Sequence, residues 1–202
     1  MKYLLAASVI AASFGFVNSK SLTVSPLSTY SREFDKPEYT ACNTAVSASY
    51  MTSEEKNVIY ILNMARMNPK LFCTAVVKKY TGTRDSYVKS LIQTMNRMKP
   101  QGLIYPDSIC YISAQCHAAI SGSTGYAGHD RSGDCLDKRH FNGECCDYGH
   151  DKAIDIVMAL LIDENVESLG HRSICFSPYK VMAVSIAPHT AWRYNAVLDF
   201  HF

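Results

Sequence analysis

The sequence predicts an α+β fold, and three observations predict it. Five stretches with a helical apolar period fill residues 51–165, two strand-like stretches follow only near the end, and the composition supplies a core for both. The 202 residues are 48% hydrophobic and 19% charged, while ten glycines and seven prolines are too few for a low-complexity or collagen-like chain. That length suits one domain, or one plus a short extension. Twenty lysines and arginines face eighteen aspartates and glutamates, a balance of +2 with no block of like charges. No nucleic-acid partner is expected from such a balance.

The first 19 residues read as a secretory signal peptide. Met1-Lys2 is a small positive start, Tyr3 to Val17 is uncharged and rich in Leu, Ala, Ile and Phe, and Val17-Asn18-Ser19 suits signal peptidase. The apolar run is shorter than the ~20 residues that cross a bilayer, and no later segment is long enough. The mature chain is therefore expected to be secreted, without a membrane span. Residues 20–50 are rich in Ser and Thr, contain Pro26 and Pro37 and show no period, so they read as an irregular N-terminal extension. Residues 51–202 form the expected folded domain.

Thr52-Ser53-Glu54-Glu55 has the form of a capping box, and Val58, Ile61, Leu62 and Ala65 continue it as one apolar stripe. Asn68-Pro69 stops that helix and starts a second, which runs to Gly82. A third is expected over Ser86 to Met98, with Tyr87, Val88, Leu91, Ile92 and Met95 inward. A fourth begins at Asp107 as N-cap and runs through Ile109, Ile112, Cys116 and Ile120 to Gly122. Residues 122–149 lose all period and read as a long ordered loop region. A fifth, strongly apolar helix runs from Asp151 or Lys152 to Asn165. Val181 to Ile186 then reads as a buried strand, Pro188-His189-Thr190 as a turn, and Trp192 to Phe200 as a second strand, giving an antiparallel sheet.

All eight cysteines lie after the signal, and an even count in an oxidising compartment predicts disulfides. Their pairing is not readable. Cys145 and Cys146 are too close along the chain to bond each other easily, so two different partners are expected to staple the 135–146 loop at two points. A four-thiolate zinc site is disfavoured by the absence of paired Cys-x-x-Cys knuckles.

Histidines and acids cluster late in the chain. His129, His140, Glu144 and His150 lie in or next to the aperiodic region, Asp163-Glu164 ends the fifth helix, and His171 follows. Two neutral imidazoles and two carboxylates on one cleft can hold a divalent metal through nitrogen, with the carboxylates orienting the rings or a bound water. His117, on a helix face before Ala118-Ala119, reads as a packing residue, and His140 and His150 read as solvated. Asn63 and Arg66, polar on a mostly buried helix, are expected to satisfy partners there.

The order of motifs resembles the CAP superfamily of cysteine-rich secretory, venom-allergen and pathogenesis-related proteins. Leu62-Asn63-Met64-Ala65-Arg66 resembles its His-Asn-x-x-Arg, with Leu62 where the family has His. Ala114-Gln115-Cys116-His117 resembles its Ala-x-x-His, and Gly128-His129 matches the position of its first functional histidine. Gly143-Glu144-Cys145 resembles Gly-Glu-Asn, Leu161-Ile162-Asp163-Glu164 resembles Trp-x-x-Glu without its Trp, and Gly170-His171-Arg172 matches the Gly-His-Arg of microbial members. The resemblance implies a three-layer α-β-α sandwich and a tetrad of His129, Glu144, Glu164 and His171, with Asp163 the alternative to Glu164 if the helix is turned by one residue. It also implies a divalent metal, zinc foremost, on His129 and His171, and a lipid or sterol, or an extracellular protein, as partner. The main reading is thus a secreted binding module. The alternative is a zinc-dependent peptidase or esterase in which Glu144 or Glu164 is the general base.

Overall fold

A computed structural model describes residues 24–82 and 84–202. The expected signal peptide, residues 1–19, lies outside the described residues. Residues 24–50 are mostly turns, with a 3-10 turn at Arg32–Asp35 and a short helix α1 (Pro37–Thr40). They are nevertheless part of the interior: Leu27, Phe34, Tyr39, Cys42, Ala45 and Ala48 are buried in the main apolar cluster. Irregular backbone here follows the missing period, whereas burial follows the apolar residues scattered through it.

Helix α2 (Ser53–Met67) opens with the capping box: Glu55 N–H donates to the Thr52 hydroxyl at 3.3 Å, and Thr52 N–H donates to the Glu55 carboxylate at 2.7 Å. Asn68 then caps α3 (Pro69–Phe72), which passes through a π-turn at Cys73–Val77 into α4 (Lys78–Tyr80). The expected single second helix is therefore one continuous coil with a widened turn in its middle. Asp85 caps α5 (Ser86–Arg97), whose Val88, Leu91 and Met95 face inward. After the short strand β1 (Tyr105–Pro106), Asp107 caps α6 (Ser108–Thr124), which ends at left-handed Gly125. Strand β2 (Gly143–Tyr148) leads to α7 (Ala153–Ile162) and α8 (Gly170–Cys175), and β3 (Val181–His189) and β4 (Arg193–His201) complete the chain. Pro188 and His189 belong to β3, so the hairpin turn is Thr190 to Trp192 rather than the expected Pro188-His189-Thr190.

The fold is α+β around a four-stranded sheet in the order β1-β3-β4-β2. The expected antiparallel sheet is corrected to a mixed one. β2–β4 and β3–β4 are antiparallel, but β1 runs parallel to β3, because α2 through α5 carry the chain across before β1 and a long crossover returns it at β3. Alternation splits the strand residues between two faces. Met182, Val184, Leu198 and Phe200 join α2, α5 and α7 in the main cluster, whereas Cys146 and Val197 meet Ala114 and Ala118 of α6 on the other face. Helices thus cover both faces.

The large residues of α6 do not supply its buried face. Ile109 and Ile112 are 55% and 52% exposed, and the helix buries Ala114, His117, Ala118, Ser121 and Gly122 instead. Close approach decides this: a Cβ on Gly122 would stand 2.2 Å from the Pro188 carbonyl oxygen. Opposite it, Asn63 bridges Cys42 O, Thr44 Oγ1 and Ile104 O and accepts from Ile104 N–H, while Arg66 donates to the carbonyls of Gly102, Cys175 and Ser177. Both are buried.

The disulfide expectation needs the largest correction. Among the described residues one disulfide, Cys116–Cys135, is formed, and the other six cysteines are buried thiols. Cys145 and Cys146 sit in β2 with side chains on opposite faces, so they do not staple the preceding loop; Cys135 ties it to α6.

Candidate functional site

The site forms where β2, the loop after α6 and the start of α8 converge. Gly128 sets the position of His129: its φ of +148° and a Cβ position only 2.5 Å from the Tyr126 hydroxyl exclude a side chain, and its N–H donates to the Tyr148 hydroxyl at 2.8 Å. His171 is set by the turn after α7. Asp163 and Leu169 both adopt left-handed backbone, which costs a non-glycine residue of order 1 kcal/mol or more, and Gly170 then begins α8. Arg172 holds that turn closed by donating to the carbonyls of Leu161, Ile162 and Tyr87 and to the Ser90 hydroxyl.

The imidazole rings of His129 and His171 lie with centroids 6.2 Å apart. Each is held at Nδ1 by a buried carboxylate: His129 by Glu144 Oε1 at 2.9 Å, His171 by Asp163 Oδ1 at 2.8 Å. Asp163 also accepts from the Arg172 N–H at 3.2 Å. Asp163 therefore takes the place expected of Glu164, which is exposed and makes no hydrogen bond or ion pair among the described residues. The reason is the end of α7: the helix stops at Ile162, and the left-handed turn at Asp163 swings that side chain inward and the next one out.

A residue that the sequence did not single out organises the other half. Arg131, with its side chain 2% exposed, bonds Glu144 Oε2, both oxygens of Asp199 at 3.0 and 3.2 Å, and the Ser113 carbonyl at 2.7 Å. Glu144 and Asp199 are direct partners across β2 and β4, and two carboxylates so placed require a shared cation or proton. Burial, reinforced by Glu144, pushes the Asp199 carboxyl well up, so it holds that proton. Burial would raise Glu144 too, but His129, Arg131 and Asp199 outweigh it and hold Glu144 below its usual range. His129 is raised in turn by its bond to Glu144.

The ring pair stands between two hollows. One, of about 520 Å³, is bordered by Cys146, Asp147, His150, Asp163, Glu164 and His171. The other, of about 670 Å³, is bordered by His129, Arg131 and Glu144. In the first, His150 is half-exposed but not merely solvated: Nδ1 lies 3.0 and 3.1 Å from the Asp147 oxygens, and burial brings that carboxyl up to about 6. His140 stacks on His201 at 4.4 Å, away from the pair.

Two further groups of side chains are close enough to hold a metal ion: Asp107 with Cys110 and His140, and His117 with Glu144 and Cys146. His117 is also satisfied as a packing residue, its Nε2 lying 3.0 Å from the Gly128 carbonyl oxygen, and burial lowers its pKa.

No protein-family model, no curated protein and no solved structure matches the chain. Among the described residues no helix is long and apolar enough to cross a membrane. Two imidazoles whose Nδ1 atoms are held by carboxylates have Nε2 left as donor, which fits zinc or another borderline divalent ion, and carboxylate contacts of this kind fix the ring and raise its basicity.

Proposed function

We propose that the chain is a secreted, CAP-type binding module whose His129–His171 pair holds a divalent cation, zinc foremost, and presents it to a lipid or sterol, or to an extracellular protein. One observation carries this reading: the two rings lie with centroids 6.2 Å apart, tilted by 42°, with both Nδ1 atoms engaged by buried carboxylates. Such a pair supplies two neutral nitrogens and leaves the remaining coordination positions to water or to an oxygen of the ligand. Leu160, Val166, Tyr148 and Trp192 border the hollow beside His171 and give an apolar ligand a surface next to the cation.

Binding is favoured over hydrolysis because the carboxylates that reach the rings are committed. Glu144 is bonded to His129 and Arg131, and Asp163 to His171 and the Arg172 N–H. A general base needs a carboxylate free to take a proton from water. Glu164 is the acid on the rim that could serve a zinc-dependent hydrolase, so the two readings part at that residue.

Calorimetric titration of the full chain with Zn2+ tests the pair. His171→Ala is expected to lose one bound equivalent while its circular dichroism stays that of the parent. Asp163→Asn is expected to weaken the same event by about 10- to 100-fold. Wild-type stoichiometry and affinity in His171→Ala would overturn the proposal. Zinc-dependent cleavage of peptide or ester substrates that Glu164→Gln abolishes would replace binding with hydrolysis.

A further inference from the structure

Behind the ring pair, where Glu144 turns into the sheet, lies a set of donors that shares only Glu144 with the His129–His171 cleft. One ring nitrogen of His117, one carboxylate oxygen of Glu144 and Cys146 Sγ all lie within 4.8 Å of one another, and all three residues are buried. They come from α6 and from alternate positions of the pleat of β2, so the backbone that positions them is regular. His129 frames the set: its Nδ1 is 3.7 Å from Cys146 Sγ and 2.9 Å from Glu144 Oε1.

We propose that His117, Glu144 and Cys146 form a second, inner cation site with a thiolate ligand, selective for borderline and soft ions such as Zn2+ or Co2+ over Mg2+ and Ca2+. Ligand bonds of ~2.0 to 2.3 Å at tetrahedral angles place ligand atoms about 3.3 to 3.7 Å apart, so donor atoms within 4.8 Å of one another need to close by at most about 1.5 Å. Nitrogen and sulfur donors with one carboxylate oxygen suit zinc and its neighbours; hard ions require oxygen throughout. Glu144 Oε1 keeps its hydrogen bond from His129 and uses its other lone pair for the cation, so the carboxylate that orients His129 ties the inner site to the outer one. The fourth position is left to water, which reaches Cys146 from the hollow beside His171. Loading exchanges one proton: Cys146–SH and the dication give a thiolate–metal bond and H+ released to solvent, with no oxidation. Arg131 repels the incoming charge, but its guanidinium is already paired with the Glu144 carboxylate, which offsets it.

The other candidate group is weaker for a structural reason. Asp107 is already spent as the cap of α6, accepting from the N–H groups of Ile109 and Cys110 at 2.9 and 2.8 Å.

The test uses Co2+ as probe on the full, reduced chain, because a cobalt–thiolate bond gives a near-ultraviolet charge-transfer band that a site of imidazoles and carboxylates cannot. The band is expected in wild type, in His171→Ala and in Cys110→Ala, and is expected to vanish in Cys146→Ala. Absence from wild type, or survival in Cys146→Ala, would overturn the inner site. Because Cys146 packs against Ala114, Ala118 and Val197, a second measurement is made on wild type alone. Zn2+ should slow alkylation of Cys146, mapped by peptide mass spectrometry, at least tenfold; no protection, or a Cys146 already oxidised in the native protein, refutes the site. The inference rests on the reading of Glu144 as partner of His129 but fails separately from it. A Zn2+ equivalent lost in His171→Ala with no thiolate band sinks the inner site alone, whereas a band with unaltered Zn2+ stoichiometry in His171→Ala sinks only the outer one.

Discussion

Arg131 shows how much a single side chain contributes to the candidate site. Its guanidinium is buried between Glu144 and Asp199 and reaches the Ser113 carbonyl, with Phe141 stacked 4.9 Å over it. Removing one member of a buried charge network leaves uncompensated charge and typically costs about 3–5 kcal/mol, far more than an exposed pair. Arg131→Met is accordingly expected to lower unfolding stability in urea by about that amount and to loosen His129 by freeing Glu144. A loss below about 1 kcal/mol would show that the two carboxylates do not need it. In the sequence Arg131 is one basic residue in a stretch of charged ones, and only the fold pairs it with Asp199, 68 positions later. Asp163 and Glu164 show the same limit on a smaller scale. Adjacent acids are interchangeable to a spacing argument, and the choice is made by the left-handed turn at Asp163, which no local sequence rule demands of an aspartate. His129, Glu144 and His171 were legible because glycines precede them in short recognisable motifs. Cys146 and His117 were not, since Cys146 is expected from the sequence in a disulfide of the 135–146 loop and a helix histidine reads as packing.

At the scale of elements, the helix starts were the most readable features because capping is local chemistry. Thr52, Asn68 and Asp107 each accept from backbone N–H groups at the start of the helix they were assigned, and Asp85 does the same for α5. What a helix packs against is not local, and α6 is the case in point. Its isoleucines suggest an apolar stripe, yet the sheet approaches so closely that Gly122 and the alanines face it and Ile109 and Ile112 face solvent. Gly122→Ala must push backbone against backbone at Pro188, where no side chain can yield. We expect a fall in melting temperature, the opposite of Gly→Ala elsewhere in a helix, where it normally raises stability by relieving about 1 kcal/mol of entropy. A melting temperature equal to or above that of the parent would mean that α6 stands farther from β3. The π-turn at Cys73–Val77 had no sequence signature either, because Leu71 to Val77 holds no Gly or Pro to mark a change of coil.

Across the whole molecule, buried acids set the dependence of stability on pH. Burial brings Asp147 from its ordinary 3.8 up to about 6, with His150 opposing the rise. A carboxyl whose folded pKa is raised binds its proton more tightly in the native state, so its stabilising contribution is complete below the ordinary value and is lost as pH climbs through about 6. A shift of that size corresponds to about 3 kcal/mol. Asp199 works in the same direction, and His117, lowered by burial, works in the opposite one, gaining stability as pH rises through the ordinary histidine value. The comparison that isolates Asp147 is therefore wild type against Asp147→Asn. Between pH 3 and 7 the parent should lose up to about 3 kcal/mol more than the variant in urea titrations, and parallel curves would place Asp147 in contact with water.

The segment before the first long helix has little regular structure, and it would be natural to regard it as a detachable leader. Leu27, Phe34, Tyr39 and Cys42 say otherwise, because they are buried in the main apolar cluster, with Phe34 against Phe72 of α3 and Cys42 against Met67 of α2. Trimming the gene to the helical portion would leave a hole lined with oil and a sticky flank, so the smallest autonomous unit of this protein begins upstream of Leu27.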